Sequence, residues 1–493
     1  MRWTILIAAL LCGSVGVAQE TGAPIISTAD RARLQRVGEA ANKGDCPTAL
    51  RELTPFLGPA KEKALGPLAG PFLTVAGLCT ASRVGPDPAY PLLLRATRAS
   101  GSTPDAWRYR LWYEVAHGRR AEGVATIVEM ANGNGAALNA MEPQWLFTLD
   151  TALKTNGDTA PRTRLLKVLA TSYSPDPLLG DSDPFRRRYA QLLLKAGDRE
   201  GARQAVQGVA LPTDLRMIML DPDLRAALPA GSSLKAATER RLEVDRGLML
   251  AHPDRLSPVL AASADLRQLG RPRESTELLE GSRATLDKGG FADADEQRPW
   301  WWDGMYRSAL MSGQVDSALG YLRQGAKETE GGGRNVSQVL NLASLLSDLG
   351  RSAEALAVVN GADTLGPTSP YGATVLHLAR GCAHVQLGHA AEAAADRAYL
   401  ETHKADSPVN LNEMQLCQGD LDAAAALTIA RLADPEQRAD ALAEFSSYAP
   451  PPVMLPRSLV ERNRDRLSVR GDVRAALAAA GAPVTFDVQR EEH

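Results

Sequence analysis

The sequence predicts an all-α fold, an α-solenoid of about ten to eleven stacked helical hairpins. Three observations carry that reading. A glycine returns at Gly44, Gly85, Gly118, Gly157, Gly197, Gly231, Gly270, Gly313, Gly350, Gly388 and Gly419, at steps of 31 to 43 residues. A small side chain usually follows five residues later, at Ala49, Gly123, Ala202, Ala236, Ser275, Ala318, Ala355, Ala393 and Ala424; Tyr90 and Arg162 depart from the rule. Strand-like alternation is weak everywhere except Val484 to Val488. A recurring turn with a small residue at one offset is the pattern of paired helices that bury their faces only against neighbours.

The first segment sets the expected compartment. Met1-Arg2 is a short basic start, and Thr4 to Val17 is an apolar run too short to span a bilayer. Gly16-Val17-Ala18 is a small-residue cleavage site, so residues 1–18 read as a signal peptide cut before Gln19. Cys12 does not read as a lipidation site, because Leu10 and Leu11 stand where a small residue is needed. With no later run of about 18 apolar residues expected to cross a membrane, the mature chain reads as soluble and exported. Arginine far outnumbers lysine and alanine is abundant, which suits a GC-rich bacterial genome and hence the periplasm.

Residues 19–29 then read as a linker, and 30–440 as the repeat array. Val336 to Leu349 shows the pattern best: apolar residues at 339, 340, 342, 343, 345, 346 and 349 form a wide helical stripe. Gly350 stops this helix, Ser352 is placed to cap the next one, from Ala353 to Asn360, and Pro367 ends the unit. Residues 441–493 read as a proline-containing linker around Pro450-Pro451-Pro452, closing helices from Ser458 to Ala480, and a tail.

Four cysteines follow the signal segment. Cys46 and Cys79 lie 33 residues apart, and Cys382 and Cys417 lie 35 apart, each close to one repeat. Residues one repeat apart sit on neighbouring elements of a solenoid, so an even count in an oxidising compartment favours these two disulfides. Each would contribute roughly 3–4 kcal/mol by constraining the unfolded chain.

Composition narrows the function. A formal net charge of −3 leaves no basic field to hold nucleic acid. No nucleophile elbow, phosphate-binding loop or dinucleotide fingerprint is present, and Gly331-Gly332-Gly333 lacks the lysine that a phosphate cradle needs. His377, His384 and His389 lie close together around Cys382, but not at the three- or four-residue spacing of helical metal ligands. Asp293 and Asp295 read as part of a polar loop from Gly289 to Pro299. Neither an enzyme nor a cofactor or metal is expected.

The units resemble tetratricopeptide repeats. The resemblance rests on Gly44-Asp45 with Ala49, Gly197-Asp198 with Ala202, Gly350-Arg351 with Ala355, and Gly419-Asp420 with Ala424. Gly381 matches a glycine inside the family's first helix, where other units carry Ala190, Ser263 or Ala343. It implies that first helices line a concave groove through residues thirteen, ten, six, three and two before the turn glycine. The implied groove residues are Arg108, Trp112, Arg187, Gln191, Lys195, Arg267, Gln268, Trp300, Asp303 and Arg307. Arginine forks onto carboxylates and tryptophan supplies anchoring area, so this wall suits an extended peptide or protein segment of the cell envelope. The three neighbouring tryptophans Trp300, Trp301 and Trp302 point about 100° apart on a helix, so at least one should be partly exposed. An exposed indole there supports the alternative reading, a glycan-binding module of cell-wall or exopolysaccharide machinery.

Overall fold

Nine of the eleven hairpins, all but those of Gly85 and Gly231, are closed by the same backbone device. At Gly350 the first helix, Val336–Asp348, gives way to the second, Ser352–Val359. Gly350 adopts φ 74°, its N–H donates to the Ser347 carbonyl at 3.0 Å, and the Arg351 N–H reaches back to the Leu346 carbonyl at 2.8 Å. These bonds satisfy carbonyls that a helix end leaves open, and a side chain in this left-handed conformation costs roughly 1–2 kcal/mol. All eleven turn glycines have positive φ, ten of them between 69° and 82°.

A computed structural model describes residues 27–330, 332–360 and 369–490. The expected signal peptide with its cut before Gln19, Cys12, most of the 19–29 linker, Gly331 and Pro367 lie outside the described residues. The first described helix starts at Thr28, capped by the Ser27 side chain. The chain is an all-α solenoid of stacked helical hairpins and divides into two compact units, one ending at Leu192 and one beginning at Leu193.

The small residue is better counted from the start of the second helix than from the glycine. It is the fourth residue of that helix in every hairpin but one. In most hairpins the second helix starts two residues after the glycine, which places Ala49, Gly123, Ala202, Ser275, Ala318, Ala355, Ala393 and Ala424 in buried positions. After Gly85 the helix starts one residue later, at Pro86, and the buried small residue is Ala89 instead of Tyr90. After Gly231 it starts three residues later, at Leu234, and Ala237 is buried while Ala236 is only half-buried.

This residue faces the one twelve positions earlier on the first helix. Ser263 and Ser275 meet there with hydroxyl oxygens 2.8 Å apart, and Asn412 donates to the Ala424 carbonyl at 3.0 Å. A Cβ on Gly381, opposite Ala393, would sit 2.8 Å from the Met414 thioether of the next hairpin and 3.1 Å from the Asp396 Cβ, so a larger residue there would have to push the methionine end aside. The exception is Arg162. Its facing residue is Asp150, which accepts from Arg162 Nε at 2.7 Å and from Arg188 Nη1 of the following first helix at 2.6 Å. An ion pair stands where five other hairpins, those of Ala89, Ala202, Ser275, Ala355 and Ala393, place two small groups and the rest at least one.

In the first unit the apolar core runs from Leu34, Val37 and Ala49 through Phe72 and Val75 to a larger cluster around Ile127, Leu146, Leu165 and Phe185. The run Pro59–Arg83 is long and apolar enough to cross a membrane, contrary to the sequence reading. It is interrupted by a 3₁₀ turn at Gly66–Leu68, and Phe72, Leu73, Val75 and Ala76 are buried in this core.

The second unit packs its end against its beginning. Leu215, Leu220, Leu234 and Ala237 share one core with Leu416, Leu432, Leu442, Leu477, Phe486 and Val488. Two closing helices, Leu459–Ser468 and Gly471–Ala480, precede the tail, and Arg438–Phe445 crosses the expected boundary at 441. Leu459 and Val460 of the first closing helix pack on the core around Cys382, Leu400 and Met414, the same core that Leu378 and Val385 of the Gly388 hairpin pack on. The alternating tail makes one parallel bridge, Ser447 to Thr485, and not a sheet. The expected polar loop from Gly289 to Pro299 is corrected: from Ala294 it is helical, with Pro299 buried inside the helix Ala294–Met311. Asp293 bonds the Leu256 and Ser257 N–H groups at 2.7 and 3.1 Å, so this carboxylate caps a distant helix.

Cys46 pairs with Cys79 and Cys382 with Cys417, with Cα atoms 5.0 and 5.7 Å apart. Each pair joins neighbouring hairpins.

Reduction or paired Cys→Ala replacement at either site should lower stability in urea melts by about 3 kcal/mol; an unchanged midpoint would remove the staples from the account. Asp150→Ala should cost about 3 kcal/mol by leaving two arginines unpaired. Adding Arg162→Ala removes one of the stranded charges and places two small residues together, as at Ala343 and Ala355, and should recover at least half of that loss, which a double-mutant cycle measures directly.

Candidate partner-binding face

The helix Pro104–Ala116 divides sharply into two sides. Ala106, Trp107, Arg110, Leu111, Tyr113 and Glu114 are buried. Arg108 and Trp112, four apart and therefore on one face, point outward, with Trp112 38% exposed. Arg108 donates to Asp105 at 2.7 Å and lies over the Tyr109 ring.

A buried polar layer holds this helix from beneath. Glu114 accepts from Arg110 Nε at 3.0 Å, from the Tyr90 hydroxyl at 2.8 Å and from Thr126 Oγ1 at 2.6 Å. Arg110 also donates to Thr97 and Glu129, at 3.1 and 2.7 Å. Burial, and after it the bond to the Glu114 carboxylate, push the Tyr90 hydroxyl up to about 12. Tyr90 stacks on Tyr113 and Tyr113 on His117, while Arg119 lies over both tyrosines. A face supported this way presents its outward side chains on a rigid base.

The other implied groove residues fare differently. On Asp183–Lys195, Arg187 and Gln191 are half-buried and Lys195 is exposed; Lys195 lies beyond the boundary between the two units. Arg267 is corrected: it is buried, with Nη1 bonded to Ser263 at 2.8 Å. Its position three residues before Gly270 turns it toward its own hairpin's small-residue contact. Asp303 is also buried, accepting from Arg307 at 2.6 Å, Asn341 at 3.2 Å and Gln338 at 3.4 Å. It ties two successive first helices together and is not offered to a partner. Half-buried Arg307 serves this same tie. The Gln268 carbonyl accepts from the Gln489 N–H at 2.8 Å, so the chain's own tail occupies that position.

The three tryptophans diverge as their helical spacing requires. Trp301 is buried and donates to the Leu279 carbonyl and Ser282 hydroxyl at 3.0 and 2.9 Å. Trp302 donates to Glu328 at 3.0 Å and meets Trp301 edge-on. Trp300 is 43% exposed.

The histidine neighbourhood is structural. His377 stacks on Tyr399 and bonds Asp396 at 2.7 Å, and Arg380 bonds the same carboxylate at 2.6 Å. Burial opposes the ionisation of Asp396, but these bonds outweigh it and hold the carboxyl below the usual range. Cys382 is taken by its disulfide. Among the described residues, no three His, Cys, Asp or Glu side chains converge as a metal site.

Sequence reasoning missed the Arg110–Glu114 layer and the Asp150–Arg162 pair. The second had a signal: Arg162 stands where the other hairpins carry a small residue, with Asp150 twelve residues before it.

No family model matches the chain, and no curated protein matches it. Among solved structures, yeast Tom70 is similar over 92% of this chain and 99% of its own, at 11% identity and a TM-score of 0.34. The APC/C hetero-tetramer Cut9-Hcn1 is similar over 92% and 93%, at 11% identity and a TM-score of 0.32. With likenesses this distant, the assignment stands on the hairpins themselves: a left-handed glycine turn followed by a small buried residue at a constant place in the second helix is the tetratricopeptide-like arrangement.

Proposed function

We propose that the chain is a non-catalytic, exported scaffold that binds an extended peptide or protein segment of the cell envelope on the first-helix face of its N-terminal unit. Exposed Trp112 beside Arg108, on a helix held by a buried polar layer, carries this reading. A large indole on a rigid base is the kind of anchor that dominates peptide binding, and the guanidinium beside it would exchange its surface bond to Asp105 for a partner's carboxylate. In the second unit, Arg267, Asp303 and the Gln268 carbonyl serve internal contacts, which directs the search for a partner to the first. The alternative, glycan binding by machinery of the cell wall or exopolysaccharide, rests on exposed Trp300 alone.

The test is capture from solubilised envelope with wild type, Trp112→Ala/Arg108→Glu and Trp300→Ala, each first checked for an unchanged melt. A partner held by wild type and Trp300→Ala, weakened at least tenfold by the double variant and released by salt, supports the reading. A partner held equally by all three overturns the face. Loss confined to Trp300→Ala, with a fluorescence shift on adding soluble peptidoglycan fragments, would favour the glycan reading instead. Export makes its own prediction: the mature protein should begin Gln19-Glu20-Thr21 on N-terminal sequencing, and a chain retaining Met1 would contradict it.

A further inference from the structure

The tail of the second unit is seated as a bound peptide is seated. The Ser447 N–H donates to the Val484 carbonyl, the Phe486 N–H to the Ser447 carbonyl and the Ala449 N–H to the Val488 carbonyl, at 2.9, 2.8 and 2.9 Å. Phe486 and Val488 are buried in the core shared by the unit's first and last helices. Between them Asp487 points the other way. Its carboxylate accepts from the Ser233 hydroxyl at 2.5 Å and the Lys235 N–H at 3.0 Å, at the start of the helix Leu234–Ala251. Gln489 adds two contacts, its N–H to the Gln268 carbonyl at 2.8 Å and its amide to the Pro450 carbonyl at 2.9 Å.

These are the elements of strand-addition recognition: main-chain bonds for affinity, alternate side chains in apolar sites, and a carboxylate on open helix N–H groups. The connection to the preceding helix is short and conformationally particular. Gly481 packs so tightly on Pro222 that a Cβ would collide with it, and Ala482 is the single non-glycine residue with positive φ among the described residues, at 61°. An open depression lined by Phe445, Arg474, Leu477 and Pro483 flanks this joint.

We propose that residues 483–490 are a displaceable latch, a self-ligand whose seat on the second unit is a binding site for an extended partner peptide carrying an acidic residue between two apolar ones. This site is separate from the Trp112 face, and either can fail without the other.

The experiment uses the full chain, as wild type and as Asp487→Ala, with a fluorescently labelled peptide of residues 483–490 as probe. Anisotropy should show the probe binding Asp487→Ala at least tenfold more tightly than wild type, whose seat is filled. The same probe with its aspartate replaced by alanine should bind neither. Amide exchange at Ser447, Ala449 and Phe486 should quicken at least tenfold in Asp487→Ala, while Arg351 in the Gly350 turn stays unchanged. Should Asp487→Ala fail to fold, Asp487→Asn removes the charge while keeping the side chain's shape and is read in the same way. Unchanged exchange with no probe binding overturns the proposal and makes the tail a permanent closure. Faster exchange without probe binding overturns it as well, since the seat would then accept no peptide.

Discussion

The contact between the fourth residue of each second helix and the first helix twelve residues before it governs how closely two helices can approach. A small group on the second helix lets the helix axes come near, whether it meets another small residue, as at Ala343, or a large one, as at Leu111 and Tyr306, and the apolar residues around it then interdigitate at close-packed density. Gly381 shows that the constraint reaches beyond its own hairpin, because the space its missing side chain leaves is filled by Met414 of the next one. Each hairpin thus stacks on its neighbour through the same place that closes it. An array of this kind derives its stability from nearest-neighbour terms, and a fault at one small residue is felt on both sides.

Where Arg162 replaces the small residue, charge takes over, and charge also joins helices beside a small residue that is kept. Asp150 with Arg162 and Arg188, and Arg110 with Glu114, sit at or near the helix–helix seam, not on a solvent face. Buried ion pairs contribute little net stability, but removing one partner is costly, so they penalise wrong register strongly. The abundance of arginine has a second consequence. An arginine on a first helix does not mark a groove by itself, since Arg267 and Arg307 both spend their guanidinium groups on neighbours. What separates Trp112 is exposure on a helix whose other face is fully engaged.

Much of the fold was legible because it is written locally. A left-handed turn needs glycine whatever surrounds it, so the eleven turns could be read directly. The two cysteine pairs were legible because their separations match one repeat. The offset of the small residue was misread at Gly85 and Gly231, since the glycine marks where one helix ends and not where the next begins. The site was far less legible. Whether Asp303 faces a partner or the neighbouring helix depends on Asn341 and Gln338, which lie in another hairpin. Asp293 and Asp487 each bond N–H groups at the start of a helix far away in the sequence, and a capping residue is ordinarily sought immediately before the helix it caps. The alternation of Val484 to Val488 was visible, but nothing local tells which surface receives it.

Closure of the second unit alters what a hairpin array offers. Taken singly, first helices promise a continuous wall of outward side chains. Here the tail bonds the Gln268 carbonyl, Val453 comes close to Gly313 and Leu455 packs against the core of the Gly313 and Gly350 hairpins, so the chain itself covers parts of that wall. The tail from residue 483 to 490 is held mainly by main-chain bonds, two apolar side chains and one carboxylate. Contacts of this kind are the ones an extended chain of similar pattern makes, whereas the helix seams, with their buried small residues and ion pairs, are built from side chains fixed on two helices at once.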